Sequence, residues 1–149
     1  MSETKFKFDK NIPAEILPSI TKNLLALEFL IPAWCHEVNV EYLADGALKG
    51  VSENSYADSN VNYQYRGGAL AFYPGYMTES ESERMNTCIH EMLHLTVNIL
   101  YYYSRSEIID LTEGKEELQK HILDEHERRL ESVISDLTYS LEKYFVVAP

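Results

Sequence analysis

The sequence predicts an α+β domain: a small, mainly antiparallel sheet packed on a buried helix, with one helix before the sheet and a long one closing the chain. Three observations carry this. Segments 37–43, 61–66 and 69–73 alternate or cluster apolar residues at strand spacing. The stretch CIHEMLHLTVNIL, residues 88–100, is apolar almost all round, as in a helix enclosed by its neighbours. Between residues 123 and 144, leucine and isoleucine recur at near-heptad spacing. At 149 residues, 45% of them hydrophobic and 25% charged, the chain suits one domain spanning 1–149.

Residues 1–10 alternate Lys with Phe and read as either a frayed tail or a short edge strand. Ser19 is placed to cap a helix running to about Leu30, with Ile20, Leu24, Leu27 and Leu30 on one stripe, and Pro32 stops it. In EVNVEYL, residues 37–43, Val38, Val40 and Tyr42 face one side of a strand. Residues 45–60 are rich in Gly, Ser, Asn and Asp and read as a loop or hairpin connection. VNYQYR, residues 61–66, alternates again. Gly67-Gly68 is a turn or bulge signal, and ALAFY, residues 69–73, forms a third strand closed by Pro74-Gly75. Thr78 with Glu81, or Ser80 with Glu83, fits a capping box opening a helix from about Ser80 to Tyr102. Polar residues 104–116 loop out, and the last helix covers about Lys115 to Tyr144.

A formal net charge of −11, from 24 acids against 13 bases, repels phosphate backbones and excludes broad nucleic-acid binding. The same field favours cations and basic partners. Two cysteines, Cys35 and Cys88, make no disulfide framework and fit a reduced setting. MSETKFKFDK lacks the apolar stretch of a signal peptide, and no run approaches the ~18 apolar residues of a membrane span. The expectation is a protein acting away from membranes, in the cytoplasm of the cell that makes it.

Residues 90–94 read HEMLH. Positions four apart lie one turn apart on the same helix face, so both imidazoles can reach one ion at roughly 2.0–2.1 Å. Zinc lowers the pKa of its water to about 7. Glu91 points to the side of that ion, where a carboxylate can take the water's proton and pass it to a leaving amine. Two His and one Glu on an apolar helix are costly to bury without a partner, and a metal is the simplest one. Cys88 is expected to be a small buried hydrophobe, and the pair Cys35-His36 is weak grounds for a second site.

CIHEMLHL resembles the active-site helix of the zincin metallopeptidases. The resemblance implies a strand-rich half before that helix, with an edge strand lining the substrate groove; Arg66–Tyr73 is placed to be that strand. The order IPAWCHEVNVEY, YRGGALAFYP, SESERMNTCIHEMLH is similar to small zincins common among phage and prophage proteins. It implies a minimal zincin fold, a Zn2+ cofactor and a protein or peptide substrate. The extended pattern HExxHxxGxxH is absent: Val97 stands in place of Gly and Ser104 in place of the third His.

The resemblance therefore points to a gluzincin-like plan, with a Glu from a later helix as third ligand. Leu123, Leu130, Ile134, Leu137, Leu141 and Tyr144 define the expected inward stripe. Glu127 falls on that stripe and is the first choice. Glu131, at the stripe's edge, is the second, and His126 the third. Tyr101, Tyr102, Tyr103 and Tyr139 are candidates for an oxyanion donor, none singled out. Two readings follow: a zinc peptidase with Glu91 as general base and then acid, or a zincin-fold binding or accessory protein, such as a phage-type inhibitor or regulator, with zinc structural or absent.

Overall fold

The computed structural model describes residues 4–45 and 55–145. The elements run β1 (Phe6–Phe8), α1 (Leu17–Ala26), a 3₁₀ turn (Glu28–Leu30), β2 (Glu37–Tyr42), β3 (Ala57–Asn62), β4 (Gly67–Phe72), α2 (Pro74–Thr78), α3 (Glu81–Leu111) and α4 (Glu116–Glu142). The class is α+β, as the sequence implies. Residues 46–54 of the expected 45–60 connection lie outside the described residues.

The sheet is mixed rather than mainly antiparallel. Its order is β1-β2-β4-β3, with β1–β2 and β2–β4 parallel and β3–β4 antiparallel. The cause is connectivity, which alternation cannot report. α1 is the crossover that lets β1 and β2 run the same way. The chain then visits the far edge as β3 before β4 returns to fill the centre. Hence Arg66–Tyr73 is not the edge: β4 is internal, and β3 is the edge strand lying against α3.

The first strand of the β3–β4 hairpin also begins earlier than its alternation suggests. β3 is ADSNVN, and the expected strand residues Tyr63 to Arg66 form the turn, where Arg66 adopts φ 52° and donates its N–H to the Tyr63 carbonyl at 3.1 Å. Tyr63 and Tyr65 are exposed there. Gly67 and Gly68 are strand residues, not a turn. A Cβ on Gly68 would sit 3.1 Å from Leu95 Cδ2, so the missing side chain is what lets α3 lie close on the sheet.

The edge has a particular finish. Tyr73 N–H donates to the Tyr56 carbonyl, and bonded pairs alternate along an antiparallel ladder, so the backbone groups of Ala57, Ser59 and Val61 face away from β4. Two of those N–H groups are already met: Ser59 N–H by Asp58 Oδ1 and Val61 N–H by Asn60 Oδ1, each at 2.8 Å.

The core joins Val38, Val40, Leu70 and Phe72 of the sheet to Ile20, Leu24 and Leu27 around α1 and to Ile89, Met92 and Leu95 of α3. α1 opens at Leu17 with Pro18 in its first turn and no side-chain cap; Ser19 is inside it, its hydroxyl 3.5 Å from Tyr76 Oη and 3.4 Å from Glu81 Oε2. Of the two capping boxes, Ser80 with Glu83 forms. Ser80 N–H donates to Glu83 Oε2 at 2.7 Å and Glu83 N–H to Ser80 Oγ at 3.3 Å.

Residues 104–111 are not a loop. α3 continues to Leu111 and the chain reverses within residues 112–115, where Gly114 takes φ 76°. α4 then runs back along α3, with Ile134 and Thr138 as its buried residues. Leu137 and Tyr144, expected on the inward stripe, are exposed. Among the described residues no helix is long and apolar enough to cross a membrane.

Candidate metal centre

His90 and His94 sit one turn apart on α3, and their rings meet with Nε2 atoms 3.2 Å apart. The carboxylate that reaches them is Glu131, not Glu127. Glu131 Oε2 lies 3.3 Å from His90 Nε2, and Oε1 lies 3.2 Å from His94 Nε2. Among the described residues His90, His94 and Glu131 are the one group of His, Cys, Asp or Glu whose donor atoms converge well enough to hold a metal ion.

The hairpin register explains the difference. Counted at equal distances from the α3–α4 turn, Glu131 stands level with Thr96, beside His94, whereas Glu127 stands level with Leu100. His126, the third choice, is likewise too near the turn. Its Nε2 meets Ser104 Oγ at 2.8 Å and its ring stacks on Tyr101 at 5.0 Å. Glu127 lines the same cleft without joining the cluster. Nor is it paired with Arg128 or Arg129, because both arginines are held by Glu125.

A supporting residue that the motif reading missed is Asn98. Its Oδ1 lies 3.1 Å from His94 Nδ1. A carboxamide oxygen only accepts, so the ring proton belongs on Nδ1 and Nε2 carries a lone pair. The signal was present in the sequence: Asn98 follows His94 by four, on the same helix face.

These contacts test the donor set against an ion. His94 Nε2 and both Glu131 oxygens are acceptors, and three short contacts cannot be satisfied by the single proton that a neutral His90 could contribute. A cation satisfies all of them at once. Ligands about 2.0–2.1 Å from a tetrahedral ion are separated by roughly 3.3–3.4 Å, close to the distances found here. Burial, followed by the neighbouring His94, lowers the pKa of His90, which favours the neutral ligating ring.

Glu91 is in the same cleft but outside the donor set. It is 9% exposed, and burial pushes its carboxyl up to about 7, opposed by the nearby Ser59 hydroxyl of the edge strand. Two cavities follow one another along α3 and share His90, Glu91 and Ala57. One, of about 310 Å³, holds His94, Glu131 and Tyr102; the other, of about 480 Å³, lies towards the start of α3. Of the tyrosines weighed as donors, Tyr101 and Tyr102 line the smaller cavity and Tyr139 the larger, while Tyr103 lines neither and is exposed. Cys88 is fully buried against Tyr76, with Sγ 3.8 Å from Oη, and ligates nothing. Cys35 Sγ donates to the Glu37 carbonyl, and His36 lies beside Arg66. Compared with protein-family models, curated proteins and solved structures, the chain matches none.

Proposed function

We propose that the chain is a zinc-dependent peptidase with a minimal, gluzincin-like zincin fold, in which His90, His94 and Glu131 hold Zn2+ and Glu91 is general base and then general acid. The convergence of three lone-pair donors beside a buried, separately held carboxylate carries this reading. When bound, the ion supplies Lewis acidity, towards the attacking water and towards the scissile carbonyl.

The remaining work falls to the protein. Asn98 keeps the His94 proton on Nδ1 and so keeps Nε2 available. Glu91, with its pKa raised by burial, is poised to accept a proton from the attacking water near neutral pH and to deliver it to the departing amine. The free edge of β3 offers backbone groups along which an extended peptide can lie, as in strand addition.

The alternative of a purely structural zinc is less well supported. Structural sites are closed by four protein ligands, whereas three donors converge here among the described residues, in a cleft. A structural site also has no use for Glu91. The test is metal analysis with cleavage of a broad peptide library by wild type and Glu91→Gln. Equal zinc contents with activity lost by at least about 100-fold in the variant are expected. Unchanged proteolysis in Glu91→Gln would sink the mechanism.

A further inference from the structure

We propose that the last half of α4, residues 131–142, is a strap that opens as a unit of its own, and that an ion held by His90, His94 and Glu131 latches it. It rests on the metal centre proposed above and not on cleavage.

The strap is lightly seated. Between Glu131 and Glu142 only Ile134 and Thr138 are buried, while Val133 and Leu137 are 53% and 42% exposed. The cavity of about 480 Å³ lies between these turns and the first turns of α3, so the two helices are not closely packed there. Thr138 is buried at a cost, since its Oγ1 finds no hydrogen-bond partner among the described residues.

Polar ties are confined to the other half of the helix. Gln119 Nε2 donates to the Ile109 carbonyl at 3.2 Å and to Thr112 Oγ1 at 3.1 Å, and His126 Nε2 meets Ser104 Oγ at 2.8 Å. Beyond His126, among the described residues, Glu131 is the α4 side chain that comes within hydrogen-bond distance of another element, through the two imidazoles. The sequence adds little. Residues 131–142 read ESVISDLTYSLE, with three serines, Asp136, Thr138 and the β-branched Val133 and Ile134, all weak helix formers. Off α3, so short a segment is marginal as a helix in water.

The one firm contact depends on a cation. Glu131 faces His94 Nε2 at 3.2 Å and His90 Nε2 at 3.3 Å, and Asn98 keeps the His94 proton on the far nitrogen. Carboxylate and lone pair then oppose one another, whereas both become ligands of a shared ion. Such an ion ties α3 to α4, so opening the strap breaks its site. An ion that binds only the closed form multiplies the closed population by 1 + [Zn2+]/Kd. Closure also completes the cleft, because Glu131 lines the smaller cavity and Ser135 and Tyr139 the larger.

The test is amide hydrogen exchange of the full-length protein, in EDTA and across a zinc titration. In EDTA the amides of residues 135–142 are expected to exchange at least about tenfold faster than those of residues 88–95 in α3. Their exchange should slow in proportion to free zinc, by about 100-fold at 100 times Kd. Glu131→Ala should leave them fast at every zinc concentration, whereas Asn98→Ala, which keeps the carboxylate, should shift the same response to higher zinc. Equal exchange of the two segments in EDTA, or bound zinc that leaves residues 135–142 as fast as before, overturns the strap. Zinc that fails to bind removes the metal centre and the strap with it. Zinc that binds and slows these amides in a protein that cleaves nothing upholds the strap and removes the peptidase. Zinc-dependent cleavage with no change in exchange overturns the strap and leaves the peptidase.

Discussion

Asn98 stands one helical turn beyond His94 and accepts its Nδ1 proton at 3.1 Å, which decides what the opposite nitrogen of that ring can do. With the tautomer fixed, Nε2 faces His90 and Glu131 as a lone pair. Asn98→Ala frees the ring to swap tautomers and should weaken zinc binding by about 10–100-fold without unfolding the protein. Asn98→Asp, which keeps the acceptor, should hold zinc at least as well as wild type. Competition against a chromophoric chelator measures both, and an Asn98→Ala variant of unchanged affinity would remove Asn98 from the centre.

The two candidate glutamates on α4 separate cleanly. Glu131→Ala should cost more zinc affinity than the roughly 100-fold expected for a supporting partner, and Glu127→Ala no more than about twofold. The same titration decides, and the reverse ranking would restore Glu127 as the ligand.

Glu91 should leave a mark on the stability of the metal-free protein. Its folded pKa is raised from 4.5 to about 7, so the folded state binds its proton more tightly than the unfolded chain does. The stabilisation this brings is complete below the unfolded value and is lost as pH rises through about 7. His90 acts in the opposite sense. Its lowered pKa gives stability that is present above its unfolded value and lost on acidification. Comparing wild type with Glu91→Gln isolates the carboxyl. Between pH 4 and pH 8 wild type should lose on the order of 3 kcal/mol relative to the variant. Parallel pH profiles in urea titrations with EDTA present would contradict the burial of Glu91.

The thiols should be silent in the native state. Burial pushes Cys88 up to about 12 and raises Cys35 as well, so neither supplies much thiolate at neutral pH. Both should react with an aromatic disulfide reagent only as fast as the protein unfolds, and both promptly in denaturant. A fast native phase assigned to Cys88 by mass spectrometry would contradict its enclosure.

The chemistry of the centre was more legible than its assembly. HEMLH could be read because helix spacing alone puts His90 and His94 on one face, and the Ser80–Glu83 box locates the start of that helix. Read from the sequence, Glu127 stands ahead of Glu131 because it falls on the apolar stripe of the last helix, but a stripe carries no register against its neighbour, and the neighbouring helix reads as ending near Tyr102. The polar residues after it are helical by virtue of α4 lying alongside, and only the full length of α3 sets which glutamate comes level with the histidines. β3 was hidden for a different reason. ADSNVN buries one half-covered face at an edge and carries little apolar signal, whereas the tyrosines that follow alternate convincingly but occupy a turn. Strand direction was beyond reach, since parallel and antiparallel neighbours can share one alternation.

An unpaired strand margin ordinarily invites adhesion by any passing segment. Along β3 the amides of Ser59 and Val61 are already claimed by Asp58 and Asn60, two residues apart like the positions themselves. An incoming chain must therefore displace two local bonds before it gains its own. For those two amides the exchange is nearly neutral in hydrogen bonds, which leaves the outward carbonyls of β3 as the backbone's contribution, so a guest's side chains as well as its extendedness would govern whether it stays.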